Sequence, residues 1–190
     1  MKPRTESTDD NDLPAMLPGM LPRLWRFGLR LTANQHDAED LVQRACVRAL
    51  ERRHQWQAGT SALSWLFSIM YSIWLNEVRA RQIRGRASME WQDDLVENLE
   101  DPSGRNPESE LLHRQVINAV ESLPEAQRAV MLLVAVEGLS YREAASVLDV
   151  PIGTVMSRLA RARISVGQKF GVTHESRAPA QAGAARVNFE

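Results

Sequence analysis

Two stretches of this chain carry side chains suited to gripping a nucleic acid. In the first, Thr154, Met156, Ser157, Arg158 and Arg161 fall where a helix beginning after Pro151 turns outward, while Val155 and Leu159 fall on its apolar side. A short, polar, basic helix face is what the major groove accepts, because arginine pairs with guanine edges and hydroxyls reach bases or phosphates. Such a helix needs a partner to hold it. Gly138 can end one helix, Ser140 can cap the next, and Glu143 three residues on completes a capping box. Ala144, Ala145, Leu148, Val150, Ile152, Val155 and Leu159 are then expected to bury a continuous seam, giving a helix-turn-helix. Asp149 stands at the turn, and aspartate tolerates the left-handed conformation better than most residues.

In the second stretch, Ser64, Ser68, Ser72 and Asn76 recur every fourth residue along a helix expected to run to about Arg84. Leu63, Leu66, Ile69, Met70, Ile73 and Val78 form its opposite, core-facing side. Solvated faces usually carry Lys and Glu, and this one carries none before Glu77 and Arg79, so it reads as a contact surface as readily as a solvated one.

The elements that position these stretches are helical throughout. A first helix is expected from about Met16 to Thr32, with Leu17, Leu21, Leu24, Trp25, Gly28 and Leu31 inward. Asn34 can cap a second, whose apolar face is Ala38, Leu41, Val42, Ala45 and Ala49 and whose first turns carry Asp37, Glu39 and Asp40. Between Arg86 and His113 the periodicity fades, Pro102, Gly104 and Pro107 punctuate, and acidic residues dominate. Helical signals resume near Leu111, and Pro124 suits the start of a helix running to about Glu137 through Ala129, Val130, Leu132, Leu133 and Val136. The fold class is therefore all-α: two small helical domains joined by a flexible acidic linker. The expected boundaries are a disordered 1–12, a helical bundle over 13–85, a linker over 86–110, a helix-turn-helix domain over 111–170 and a disordered tail over 171–190.

Composition narrows the function classes. The formal net charge is −1, unexpected for a protein that holds DNA unaided, but the charges are segregated. Arginines gather at Arg79, Arg81, Arg84 and Arg86 and again at Arg158, Arg161 and Arg163, with the acidic stretch between. Free DNA affinity should be weak and salt-sensitive, which implies a partner that supplies the rest. No run is long enough to span a membrane, and Pro14, Pro18 and Pro22 interrupt the early apolar patch, so no signal peptide and a cytoplasmic home are expected. The single cysteine, Cys46, reads as an inert buried thiol, and the four histidines lack ligand spacing. No catalytic constellation, metal site or cofactor is expected, and the chain does not read as an enzyme.

Leu24-Trp25-Arg26-Phe27-Gly28-Leu29-Arg30-Leu31-Thr32, then Asp37-Ala38-Glu39-Asp40-Leu41-Val42-Gln43, then Ser64-Trp65-Leu66-Phe67-Ser68-Ile69 resemble region 2 of sigma factors. Leu123-Pro124, Glu137-Gly138-Leu139-Ser140-Tyr141 and the run from Pro151 to Arg163 resemble region 4. The two blocks in this order resemble the extracytoplasmic function branch of the sigma-70 superfamily. That resemblance implies a promoter-recognition subunit of bacterial RNA polymerase. It makes Asp37, Asp40 and Gln43, with Glu39 beside them, candidates for docking on the polymerase beta-prime coiled coil, although capping and solubility explain Glu39 equally well. It makes Trp56 to Ala62 the loop that traps a base flipped from the nontemplate strand of the −10 element, with Gln57, Thr60 and Ser61 lining it. Trp65 reads as core rather than as a stacking platform. Ser68, Ser72 and Asn76 fall on the −10-reading helix, and Arg79 and Arg81 would hold phosphates. Thr154, Met156, Ser157, Arg158 and Arg161 would meet the −35 element. The implied partners are core RNA polymerase through its beta-prime coiled coil and beta flap, promoter DNA, and a membrane-associated anti-sigma factor.

Three positions depart from the family pattern. Ser72 stands where asparagine is common, Met156 where Lys or Arg is common, and Ala160 offers the groove little side chain. A thioether cannot pair with guanine but can pack on a thymine methyl, so an altered −35 preference is expected. Two other classes stay open. A sigma-like decoy that sequesters an anti-sigma factor is compatible with these departures. An autonomous helix-turn-helix regulator is disfavoured by the near-neutral charge and the lack of a heptad seam for dimerisation.

Overall fold

The computed structural model describes residues 12–57, 60–85 and 107–171. The expectations for residues 1–11, for linker residues 86–106 and for the tail beyond 171 lie outside them, as do the side chains of Arg84 and Arg86. Regular structure in the described residues is helical: α1 (Leu13–Thr32), α2 (Gln35–Glu51), α3 (Ala62–Gly85), α4 (Pro107–Glu121), α5 (Glu125–Met131), α6 (Tyr141–Leu148) and α7 (Ile152–Lys169). A 3-10 turn, Arg53–Gln55, follows α2, and a π-helical turn, Leu132–Val136, follows α5.

α1 starts earlier than its pattern predicts and runs through Pro18 and Pro22. Each internal proline removes a helix hydrogen bond and costs ~3 kcal/mol in an isolated helix. Burial of Leu13, Leu17, Leu24, Phe27, Leu29 and Leu31, at ~1.5–3 kcal/mol per side chain, outweighs that cost. Leu21 is the exception on the expected inward side, since it is exposed. Gly28 lets α1 approach its neighbours closely: a Cβ there would lie 3.3 Å from the Met70 methyl and 3.5 Å from Val42. α2 follows its pattern in full. Asn34 caps it by accepting from the Asp37 N–H at 3.0 Å, and Ala38, Leu41, Val42, Ala45 and Ala49 are all buried.

α4 begins at Pro107, inside the stretch read as linker, with proline in the first turn where its missing N–H is no loss. The helix expected to follow Pro124 has two parts, because after Met131 the backbone widens to a π turn, with the Glu137 N–H on the Leu132 carbonyl at 2.9 Å. One extra residue in the turn rotates the residues beyond it by about 100°. Val136, expected inside, therefore points outward, and Glu137 turns inward.

The two groups of helices, α1–α3 and α4–α7, lie against one another and share one continuous apolar core from Leu13 to Ala162. α3 packs on α6, and α1 meets α5. Tyr71 and Trp74 of α3, unassigned by the one-faced pattern, are buried. Polar bonds close the same seam. Arg23 Nε donates to Glu137 Oε2 at 2.9 Å and its Nη2 to the Glu137 carbonyl at 3.0 Å, while Arg30 pairs with Glu121 at 2.9 Å. Arg128 donates to the Leu31 carbonyl at 3.2 Å, satisfying an orphan acceptor at the end of α1. Burial pushes the Arg128 pKa down, partly offset by Glu125 and Glu121.

Candidate nucleic-acid interface

The helix-turn-helix is built from local signals. Ser140 Oγ accepts from the Glu143 N–H at 3.2 Å and the Glu143 carboxylate accepts from the Ser140 N–H at 2.8 Å, a complete capping box. Hydrogen bonding of the carboxylate itself to Ser140, to its hydroxyl first and its backbone N–H second, holds the Glu143 carboxyl below its ordinary pKa. α6 ends on Asp149, which takes the left-handed conformation at φ 52° and ψ 52°. Pro151 then leads into α7, whose Val155, Leu159 and Ala162 are buried.

Met156, Ser157 and Arg161 stand exposed on the far side of α7 as the pattern requires. Thr154 and Arg158 are only half-exposed, and the Ser157 hydroxyl donates to the Thr154 carbonyl at 3.1 Å. Ile152 is not part of the seam and is exposed. As the first residue of α7 its Cβ points back toward the turn, beyond the reach of α6. Arg158 is felt electrostatically by the other helical group. Burial pushes the pKa of the Tyr71 phenol up, and Arg158 and Arg79 together pull it back. Two candidate DNA-contacting arginines, one from each group, thus act on one phenol, against Glu125.

The acidic turn of α2 is less free than its sequence implies. Asp37 accepts from Arg81 at 2.7 Å, and Asp40 accepts from Arg44 at 3.0 Å, which also pairs with Glu77 of α3. The Arg44 pKa is raised, chiefly by its bond to Asp40. Glu39 and Gln43 are exposed beside them. Arg81, expected to hold a phosphate, is turned to α2, since it lies two residues beyond Arg79 and so on nearly the opposite side of the helix. Arg79 is exposed and has no carboxylate partner among the described residues.

The loop before α3 is held by its own side chains. Trp56 Nε1 donates to the Thr60 carbonyl at 3.1 Å, and Thr60 Oγ1 donates to the Gln57 carbonyl at 2.7 Å. Ser61 Oγ accepts from the Ser64 N–H at 3.3 Å, so it caps α3 and is less available to a base than expected. Along the stripe, Ser72 and Asn76 are exposed, whereas Ser68 is half-buried and its hydroxyl returns to the Trp65 carbonyl at 2.7 Å. Trp65 is not core. It is half-buried, its ring is stacked on Trp56 with centroids 6.5 Å apart, and it walls a cleft of about 160 Å³ with Arg48, Arg52, Gln55, Ser68, Ile69 and Ser72. Arg48 and Arg52 were missed in the sequence. The available signal was the spacing of Arg44, Arg48 and Arg52 by fours along one face of α2.

Comparison with known proteins bears on both halves. Residues 19–84 match the sigma-70 region 2 family and residues 113–166 the sigma-70 region 4 family. The chain is 38% identical over 148 residues to the ECF RNA polymerase sigma factor SigE of Mycolicibacterium smegmatis, covering 74% of this chain but only 54% of that protein. It thus spans about half of that relative's length. It is 31% identical over 161 residues to the ECF RNA polymerase sigma factor EcfG of Rhodopseudomonas palustris, covering 85% of this chain and 83% of that one. Among solved structures, the sigma factor RpoE of Bartonella quintana, in complex with the anti-sigma factor NepR, superposes with a TM-score of 0.75 at 26% identity, over 85% of this chain and 98% of that chain. With both regions matched in order and a relative aligned over most of its length, the chain belongs to the extracytoplasmic function sigma factors of the sigma-70 family.

Proposed function

We propose that this protein binds bacterial core RNA polymerase and directs it to promoters whose −10 element is read and melted by α2, α3 and the loop between them, and whose −35 element is read by α7. The observation that carries this reading is the pairing of a complete helix-turn-helix with a polar cleft and an exposed Ser72–Asn76 edge on α3. Asp37, Asp40, Gln43 and Glu39 dock on the beta-prime coiled coil, and the α4–α7 group engages the beta flap. Met156, Ser157 and Arg161 enter the major groove with Thr154 and Arg158 at their flanks. The protein supplies recognition and leaves catalysis to the polymerase. It acts in the cytoplasm, in keeping with the finding that no helix among the described residues is long and apolar enough to cross a membrane.

In this arrangement α3, which carries the Ser72–Asn76 edge, packs on α6 of the helix-turn-helix, whereas the two promoter sites lie ~55 Å apart at ~3.4 Å per base pair. The helical groups must therefore part before both elements can be held at once, and the 86–106 stretch between α3 and α4 would reach ~70 Å when extended. The closed form is an apt target for an anti-sigma factor, since the similar Bartonella sigma factor was captured with one.

The deciding experiment is transcription from a pooled promoter library by core polymerase with and without this protein, aligning the DNA upstream of the starts. Initiation that depends on the protein, from templates sharing two spaced elements, is expected. Binding to core without initiation would instead make it a decoy, and binding to DNA without core an autonomous regulator.

A further inference from the structure

Arg48 and Arg52 are the least explained charges in the molecule. They lie at the end of α2 and on the turn beyond it, and both face the cleft walled by Trp65, Gln55, Ser68 and Ser72. Unlike Arg44 one turn earlier, neither has a carboxylate partner among the described residues. A cation near a helix C-terminus offsets the helix dipole, but that accounts for one arginine and not for two that share a cleft. The cleft is bounded by α2, α3 and the turn between them, and it holds about 160 Å³ of solvent-sized room where ~10–15 Å³ admits a water. Two guanidiniums, an indole wall and a line of small hydroxyls make an acceptor for an anion attached to a flat apolar group. Single-stranded nucleic acid has that chemistry: arginine takes the phosphate and an aromatic side chain takes the unstacked base.

We propose that Arg48 and Arg52 grip a backbone phosphate of the melted nontemplate strand at the mouth of this cleft, seating the adjoining base along Trp65 and Ser72. The inference rests on the promoter-melting reading and adds a phosphate clamp to it. A carboxylate-rich peptide would satisfy the arginines but leave the indole wall unused, so DNA is the better fit. Because phosphate contacts carry no sequence information, the clamp sets affinity and register while Ser72 and its neighbours choose the base.

The test uses the full chain with core polymerase and a fork-junction DNA, single-stranded across the nontemplate −10 element of a promoter recovered from the pooled library. Arg48→Ala and Arg52→Ala should each weaken binding about tenfold. Each should also reduce the slope of log affinity against log salt by ~0.7, the value for one single-strand phosphate. Arg→Lys should restore most of the slope, and the recovered −10 consensus should not change. A single neutral methylphosphonate walked along the strand should reproduce the loss at one position, and at that position the Arg52→Ala variant should lose nothing more. The proposal is overturned if no position shows this coupling or if the salt slope is unmoved. It is also overturned if the variants bind DNA more tightly, which would assign the cleft to an acidic peptide such as the linker. Wild-type protein that initiates from no template would refute the promoter reading instead.

Discussion

Replacing Arg23 by alanine should open the molecule. The Glu137 side chain is only 4% exposed while that of Arg23 is 42% exposed, so the pair lies between two regimes. Breaking a fully buried pair by removing one partner costs ~3–5 kcal/mol, and a surface pair is worth ~0–1 kcal/mol. A middle value of ~2 kcal/mol is reasonable, because Arg23→Ala strands a buried carboxylate and also removes the bond to the Glu137 carbonyl. The penalty falls on the closed form, since parting of the helical groups lets Glu137 hydrate. At 1.4 kcal/mol per tenfold, the open-to-closed ratio rises about 30-fold. Dyes at cysteines replacing exposed Gln35 and Gln168, in a Cys46→Ala background, would report the separation of α2 and α7 by single-molecule energy transfer. Adding Glu137→Gln to Arg23→Ala should recover part of the closed population by removing the stranded charge. Where the wild type is mostly closed, apparent affinity for core should rise by up to the same factor. An unchanged separation in Arg23→Ala, with an unchanged thermal midpoint, would refute the latch.

Substitutions at four other positions test the interface. Arg161→Ala should cost ~1–3 kcal/mol of promoter binding and relax the −35 consensus at one position, and an unaltered consensus would remove Arg161 from base readout. Ser140→Ala should destabilise the helix-turn-helix by ~1 kcal/mol in thermal melts. Because the folded pKa of Glu143 is depressed, its contribution is fully present above the unfolded carboxyl pKa and is lost as pH falls through the folded value. Wild type should therefore lose stability on acidification faster than Glu143→Gln, and parallel pH profiles would contradict the capping box. Asp149→Gly should be neutral or stabilising by up to ~1 kcal/mol, whereas Asp149→Val should destabilise, since only the first relieves a left-handed conformation; equal melting of the two would overturn the argument.

How much of this could be read in the residues depended on whether the signal was local. The α2 face, the Asn34 cap, the Ser140–Glu143 box and the left-handed Asp149 are each written within a few neighbouring positions, and each appears where expected. α3 shows the limit. Its Tyr71 and Trp74 pack on a face that a one-sided pattern cannot assign, because that face belongs to the other helical group. The π turn after Met131 was likewise invisible, and one inserted residue was enough to exchange Val136 for Glu137 at the seam. Trp65 misled for the opposite reason. An aromatic residue on an apolar helix usually goes inward, and this one does so only in part, packing on the core and on Trp56 while also walling the cleft.

The paired carboxylates of α2 bear on how docking and DNA reading are connected. Asp37 and Arg81 are one-third and one-half exposed, as are Glu77 and Arg44 to a similar degree, so each pair is worth ~1 kcal/mol or less and is screened by salt. Pairs that weak hold α2 against α3 without committing the charges, and a partner's basic helix can exchange for them at little cost. If Asp37 turns to polymerase, Arg81 is released on α3, where a phosphate is the next anion available. Asp37→Asn should then weaken core binding yet leave thermal stability within ~1 kcal/mol, and Arg81→Ala should weaken promoter binding only in the presence of core. Equal loss with and without core would show that Arg81 meets DNA unaided and that the Asp37 pair couples nothing.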